Sequence, residues 1–170
     1  MKLLILGDIM GASGRKALLN KLPDLIKTNK IDFVIVNGEN AAAQGVGLTK
    51  EICHDFFNSG VDVITTGNHI WDQKETIKYI EGEKRLLRPA NLAKGSPGNG
   101  YGIFSIKNNN KKVAVLNLMG NVFMRKTEDI FKSAINLQKK IKLKESTDFI
   151  VVDVHGEITS EKMALGHFFD

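Results

Sequence analysis

Apolar residues along this chain follow two rhythms. Short, nearly continuous runs rich in β-branched residues alternate with stretches where apolar positions recur every three or four residues. Leu3-Leu4-Ile5-Leu6, Phe33-Val34-Ile35-Val36, Val61 to Thr65 and Phe149 to Val154 are runs of the first kind, the pattern of strands buried on both faces. Between the first three, Arg15 to Lys27 sets Ala17, Leu18, Leu22, Leu25 and Ile26 at helical spacing, with Gly11-Ala12-Ser13-Gly14 as the turn before it. Thr49 is placed to cap a second helix through Phe57, closed by Ser59-Gly60, since a threonine hydroxyl accepts from the free N–H groups of a first turn. Strands alternating with helices predict right-handed βαβ crossovers and an α/β sandwich.

The second half mixes the two signals. A helix is expected from Asp72 to about Glu81, then a short strand over Leu86 to Asn91 broken by Pro89, then a loop over Gly95 to Gly100. Tyr101 to Ile106 and Lys112 to Leu118 flank the Asn-rich Lys107 to Lys111, which predicts an antiparallel hairpin and therefore a mixed sheet. An amphipathic helix over Thr127 to Ile141 leads to the strand at Phe149, and Ser160 to Phe168 reads as a last helix. No repeat, low-complexity tract or linker interrupts the pattern, so a single domain over residues 1–170 is expected.

Composition narrows the class. With 170 residues, 42% hydrophobic and 25% charged, the chain can bury a core without disulfides or structural zinc. The single cysteine, Cys53, falls in a helical pattern and reads as a buried thiol in a reducing compartment. The apolar start Met1 to Leu6 is stopped by Gly7-Asp8, short of a secretory core of about 7–15 residues, and no other run is long enough to span a bilayer. A cytoplasmic protein is expected. The net charge of +5 and pI near 9.3 favour anionic ligands. The lysines of Lys139 to Lys144 lack interleaved aromatics, so they read as a solvated helix face rather than a nucleic-acid surface.

The ends of the strand-like runs carry the chemistry. The first ends in Gly7-Asp8, the second in Asn37-Gly38-Glu39-Asn40, the third in Gly67-Asn68-His69 and the last in His155. Taken singly, Asp8 is a helix cap, Glu39 a loop carboxylate, Asn68 a turn former and His155 a core histidine. Taken together, polar donors at four C-terminal strand ends describe one site at one rim of a parallel sheet. Two carboxylates held close repel one another unless a cation lies between them. The mixture of oxygen and imidazole donors suits Mn²⁺, Fe²⁺ or Zn²⁺ better than a calcium cage or a thiolate site.

Gly7-Asp8-Ile9-Met10-Gly11, Asn37 to Ala42, Gly67 to Asp72, Arg88-Pro89-Ala90-Asn91, Asn117 to Gly120 and Asp153 to Lys162, in that order, resemble the bacterial metallophosphoesterases of the YmdB type. The resemblance implies an α/β metallophosphoesterase-like sandwich, with mixed, largely parallel sheets flanked by helices. It also implies a dinuclear phosphodiesterase acting on 2′,3′-cyclic nucleotides and other small phosphodiesters. By the same resemblance Asp8 and Asn40 bind a first metal, Glu39 bridges both, and Asn68 and His155 bind the second. His69 is similar to the catalytic histidine. Iron or manganese is the expected pair, with zinc as a third choice. Gln44, Gly45 and Gly47 are placed at the substrate mouth, and Arg88 reads as a structural pair more than a phosphate contact.

Relatives of this type are expected to continue into a Gly-Thr-His-Thr-His segment, whereas this sequence ends at Phe168-Phe169-Asp170. Neither His54, mid-helix beside Asp55, nor His167, late in the last helix, is a substitute for those two histidines. Each metal would keep three donors, with water completing the shell. The fold is therefore expected to be C-terminally incomplete, with an exposed sheet edge and an uncovered apolar strip around Met163, Leu165 and Phe168, which homo-oligomer formation would cover. A non-catalytic regulatory or assembly module, or a truncated fragment that keeps the fold but not the full metal site, is the alternative function. A dinucleotide-binding oxidoreductase fits poorly: Gly7, Gly11 and Gly14 do not form G-x-G-x-x-G, and Asp8 within the turn would repel a pyrophosphate. No phosphate-binding G-x-x-x-x-G-K-[ST] occurs.

Overall fold

The period-two pleat of each strand decides what faces what. The computed structural model describes residues 1–107 and 109–170; Asn108, in the expected hairpin turn, lies outside the described residues. In chain order the elements are β1 (Leu3–Leu6), α1 (Gly11–Asn29), β2 (Phe33–Asn37), α2 (Lys50–Asn58), β3 (Val63–Thr65), α3 (Lys74–Gly82), β4 (Tyr101–Ser105), β5 (Lys112–Met119), α4 (Ile130–Lys140), β6 (Phe149–His155) and α5 (Thr159–Phe169). Strands β1, β2 and β3 form a parallel sheet in that order, with Leu3 opposite Phe33 and Ile35 opposite Val63. The second sheet pairs β4 antiparallel to β5, and β5 parallel to β6 with Met119 opposite His155.

The four strands expected to share one rim are thus divided between two sheets. The strand that ends at His155 pairs with β5, not with β1, β2 or β3. A run buried on both faces carries no mark of its neighbour, because every flank it presents is the same backbone ladder. The mixed character predicted from the hairpin resides wholly in the second sheet.

Odd-numbered residues of β2, β3, β5 and β6 meet in the middle, with even-numbered Phe104 of β4. Phe33, Ile35, Val63, Val113 and Val115 form one buried layer, joined by partly buried Phe149 and Val151. Even-numbered Val34, Val36 and Ile64 turn the other way, onto Leu18 and Leu22 of α1, Cys53 and Phe56 of α2 and Ile80 of α3. In the second sheet Ala114, Leu116 and Leu118 pack against Ile130, Ala134 and Leu137 of α4 and Leu165 of α5. The layers run helices, sheet, sheet, helices. Towards the C-terminal strand ends the middle layer becomes polar: the Thr65 hydroxyl donates to the Asp153 carboxylate, and Asn117 Nδ2 donates to Thr66 O (2.9 Å) and Leu87 O (3.1 Å). These bonds join the sheets directly behind the candidate site.

Several boundaries differ from expectation. Gly11 to Gly14 is the first turn of α1 rather than a loop: the Gly11 N–H reaches Asn40 O at 2.8 Å, and Gly14 abuts Ile9, so packing outweighs the helix cost of glycine. Residues 86–91 form only isolated bridges, Leu86 to Ile64 and Leu87 to Asn99. Proline there donates no hydrogen bond, and the Arg88 guanidinium takes the carbonyls of Pro89 (2.7 Å), Pro97 (3.1 Å) and Ser96 (3.2 Å). Arg88 is a brace for backbone, with no acidic partner among the described residues. Helix α4 starts at Ile130, capped by the Asp129 carboxylate, which accepts from Lys132 N. Thr49 caps α2 as expected.

Of the apolar strip expected on the last helix, Leu165 is buried, whereas Met163 and Phe168 are exposed. Strands β1 and β6 are sheet edges among the described residues, and Ile5 on β1 is 54% exposed. Among the described residues no helix is long and apolar enough to cross a membrane. Cys53 is fully buried, and that burial pushes its thiol well above the ordinary thiol range.

Two outcomes follow from this packing. Phe33→Ala should cost about 3–5 kcal/mol of stability in urea titration, whereas Ile5→Ala on the open edge should cost under about 1 kcal/mol. Cys53 should resist an aromatic disulfide reagent at pH 8 in the native protein and react at once in denaturant, because only the thiolate attacks.

Candidate metal centre

Glu39 follows β2 and its carboxylate is 1% exposed. It is held from two directions. Its Oε2 accepts from the His69 backbone N–H at 3.2 Å, and its Oε1 lies 3.1 Å from His155 Nε2. The turn itself is fixed by Asn37, whose Oδ1 accepts from Glu39 N at 3.2 Å, and by Gly38 N donating to Thr65 O at 3.0 Å. Burial is the largest influence on the Glu39 carboxyl and raises its pKa. His155 and the His69 N–H oppose that shift, and Asp8 adds to it.

His155 reaches this point because of strand parity. On β6 the odd residues Phe149 and Val151 face the other sheet, so Asp153 and His155 do too. His155 Nε2 also lies 2.8 Å from Asn68 Oδ1. One ring nitrogen therefore faces two oxygen acceptors and carries at most one proton for both. Gly67 makes this approach possible: a Cβ there would collide with the Glu39 carboxylate and the His155 ring.

On the far side, Asn40 is 7% exposed and spends its Nδ2 on both oxygens of Asp8, at 3.0 and 3.1 Å. Its Oδ1 is buried without a hydrogen-bond partner, an uncommon state for a buried amide. Asp8 itself is exposed. His69 Nδ1 lies 2.6 Å from Asp72 Oδ2, and Arg125 reaches the other Asp72 oxygen at 3.4 Å. The bond to His69, reinforced by Arg125, holds the Asp72 carboxyl below its ordinary pKa.

The structure thus gathers all six sequence candidates, Asp8, Glu39, Asn40, Asn68, His69 and His155, into one locale at the strand ends. Among the described residues no three His, Cys, Asp or Glu side chains cluster tightly enough to hold a metal ion by themselves; here carboxylate and imidazole alternate with carboxamide. The donor set still fits a cation: a buried carboxylate, an unpartnered amide oxygen and an imidazole crowded by acceptors all place lone pairs where positive charge is lacking. His54 on α2 and His167 on α5 are exposed on helix surfaces. Gly45 approaches Met10, and Gly47 packs on Gln73. Two contributors were not singled out from the sequence. Asp72 lies three residues after His69, a spacing that brings side chains together in a turn; Arg125 carries no local signal, since only tertiary folding brings it there.

An α/β sandwich with these donors at its strand ends is a metallophosphoesterase-like fold. The chain belongs to the family described as YmdB-like protein, whose pattern matches residues 4–170. It is 43% identical over its whole length to the 2′,3′-cyclic-nucleotide 2′-phosphodiesterase of Bacillus subtilis (strain 168), of which it covers 62%. Its structure superposes with TM-score 0.89 and 36% identity on a hypothetical protein from Thermus thermophilus, covering 100% of this chain and 64% of the other. With a novel phosphatase from Mycoplasma pneumoniae the TM-score is 0.88 at 36% identity, covering 100% and 60%. A likeness of fold alone extends to a putative 5′-nucleotidase from Staphylococcus aureus, at TM-score 0.58 and 16% identity over 92% of this chain and 37% of the other. The chain spans about three fifths of the length of the curated relatives it matches.

Gly67→Ala should displace Glu39 and His155 while leaving the strands intact. The His155 imidazole resonances should move in NMR spectra that otherwise overlay those of the wild type; unchanged resonances would show that the turn yields instead.

Proposed function

We propose that this chain carries the greater part of the site of a metal-dependent phosphodiesterase that acts on 2′,3′-cyclic nucleotides or related small phosphodiesters in the cytoplasm. The observation that carries this reading is the buried Glu39 carboxylate between His155 and the His69 N–H, with the unpartnered Asn40 Oδ1 beside it. Membership of the family and the phosphodiesterase activity for which the Bacillus relative is named support the substrate class.

In this reading Asp8, Asn40 and Glu39 hold one divalent ion, and Glu39, Asn68 and His155 hold a second, iron or manganese before zinc. Such ions supply Lewis-acid polarisation of the phosphodiester and a lowered pKa for attacking water. The protein's own part is positional. Burial keeps water from competing for Glu39, and Gly67 leaves room for Glu39 and His155 to converge. His69 acts as the proton donor to the departing ribose oxygen through Nε2, because Nδ1 is committed to Asp72. Asp72 fixes the ring; the bond to His69, with Arg125 adding to it, holds the Asp72 carboxyl below its ordinary pKa. Asp72 and Arg125 are positioning residues.

The absence, among the described residues, of three clustered His, Cys, Asp or Glu side chains favours one alternative: a module that keeps the fold without turning over substrate. Both readings are tested by Mn²⁺ binding, followed by electron paramagnetic resonance, and by hydrolysis of 2′,3′-cyclic AMP, each beside Glu39→Ala. The phosphodiesterase reading expects metal-dependent hydrolysis that the substitution abolishes, with Mn²⁺ affinity falling at least about 10-fold. Metal binding lost in the variant with no hydrolysis by either protein would select the module. Equal Mn²⁺ binding by both proteins would overturn the assignment of Glu39.

A further inference from the structure

The loop between β5 and α4 carries a residue that nothing in the core explains. Phe123 is 85% exposed, more than any other large apolar side chain among the described residues. Its φ is +59°, in the left-handed region that a bulky side chain rarely adopts. An aromatic ring left in water and a disfavoured backbone both weigh against the free protein, and glycine would relieve both. Such a combination persists only where surrounding bonds over-determine it, and it is found preferentially at ligand-binding sites.

The surrounding bonds are plentiful, and they tie the loop to the candidate site at both ends. At its start, Gly120 N donates to His155 O at 2.8 Å. The Glu161 carboxylate of α5 accepts from Asn121 N at 2.7 Å and Val122 N at 3.4 Å. At the other end, Arg125 meets Asp72, which holds His69. Asn121 Nδ2 closes the loop on Thr127 Oγ1 at 2.7 Å, and its Oδ1 accepts from Ile130 N at 3.0 Å. The loop leaves beside His155 and returns beside His69. Phe123, three residues from Gly120 and two from Arg125, is within about 11 Å of the first anchor even if fully extended.

We propose that Phe123 is a stacking platform for the base of a nucleotide whose phosphodiester occupies the site between His69 and His155. The proposal rests on the phosphodiesterase reading and adds the part of the substrate that the loop recognises. Every nucleobase has a flat π face, and an exposed aromatic ring on a rigid support is the chemistry that takes it without selecting one base. Arg125, with its side chain 58% exposed on the same loop, adds positive charge beside the Asp72–His69 pair, which favours an anionic ligand.

The test is calorimetric titration of the Mn²⁺-loaded chain with slowly hydrolysed phosphorothioate analogues of 2′,3′-cyclic AMP and of base-free ribose 2′,3′-cyclic phosphate, for the wild type, Phe123→Ala and Phe123→Trp. The wild type should prefer the nucleotide, Phe123→Ala should lose about 10-fold in nucleotide affinity, Phe123→Trp should retain it, and the base-free diester should bind all three alike. A Phe123→Ala protein that binds the nucleotide as the wild type does, or that loses both ligands equally, overturns the platform. A wild type that binds both ligands without preference overturns the platform but leaves the phosphodiesterase reading standing. A wild type that binds neither overturns both.

Discussion

A carboxylate withdrawn from water needs a positive partner, and the structure places Glu39 where its partners must come from both sheets. The His69 N–H arrives from the turn after β3, and the His155 imidazole from the end of β6. The His155 contact exists only because the two sheets pack face to face with their C-terminal ends aligned. The Thr65 to Asp153 bond and the paired donations from Asn117 fix that alignment directly behind the site. The architecture and the site are therefore one arrangement: a slip of one residue in the β5–β6 register would turn His155 outward.

The same logic explains why the site is made of turns on strand ends rather than of helix side chains. Strand ends converge when sheets pack, and their turns can be tight if glycine permits. Gly38 and Gly67 leave no side chain where Glu39, His155 and the core residue Ile64 crowd in. Around this inner set lies a second, more exposed one: Asp72 on His69, Arg125 on Asp72, and the β5–α4 loop that Arg125 anchors. The inner set is positioned by buried sheets. The outer set is held by hydrogen bonds open to water and tolerates the strained backbone at Phe123.

Family membership and structural likeness place the fold among phosphoester-cleaving relatives, and the donor set is chemically suited to divalent cations. The relatives are longer than this chain, so their activities describe proteins with additional residues. What this chain's own residues account for is the buried carboxylate, its one partner from each sheet, the unpartnered amide oxygen and the histidine–aspartate pair beside them.

Hydropathy and spacing determine much of this. Period-two and period-3.6 patterns set the order of strands and helices, the hairpin at β4–β5 and the Thr49 cap of α2, because these depend on local sterics and on which residues must leave water. The polar residues at strand ends stand out for the same reason: Asp8, Glu39, Asn68 and His155 interrupt runs that are otherwise apolar. Beyond the β4–β5 hairpin, sheet partnership was decided by tertiary structure alone. A strand buried on both faces offers any neighbour the same ladder, so the sequence suggested one rim where the molecule has two facing sheets. Tertiary packing also made Gly11 to Gly14 helical, reduced residues 86–91 to bridges, buried Leu165 beside exposed Met163, and brought Arg125 to Asp72 from 53 residues away. Each of these depends on contacts between segments distant in sequence, which no local pattern encodes.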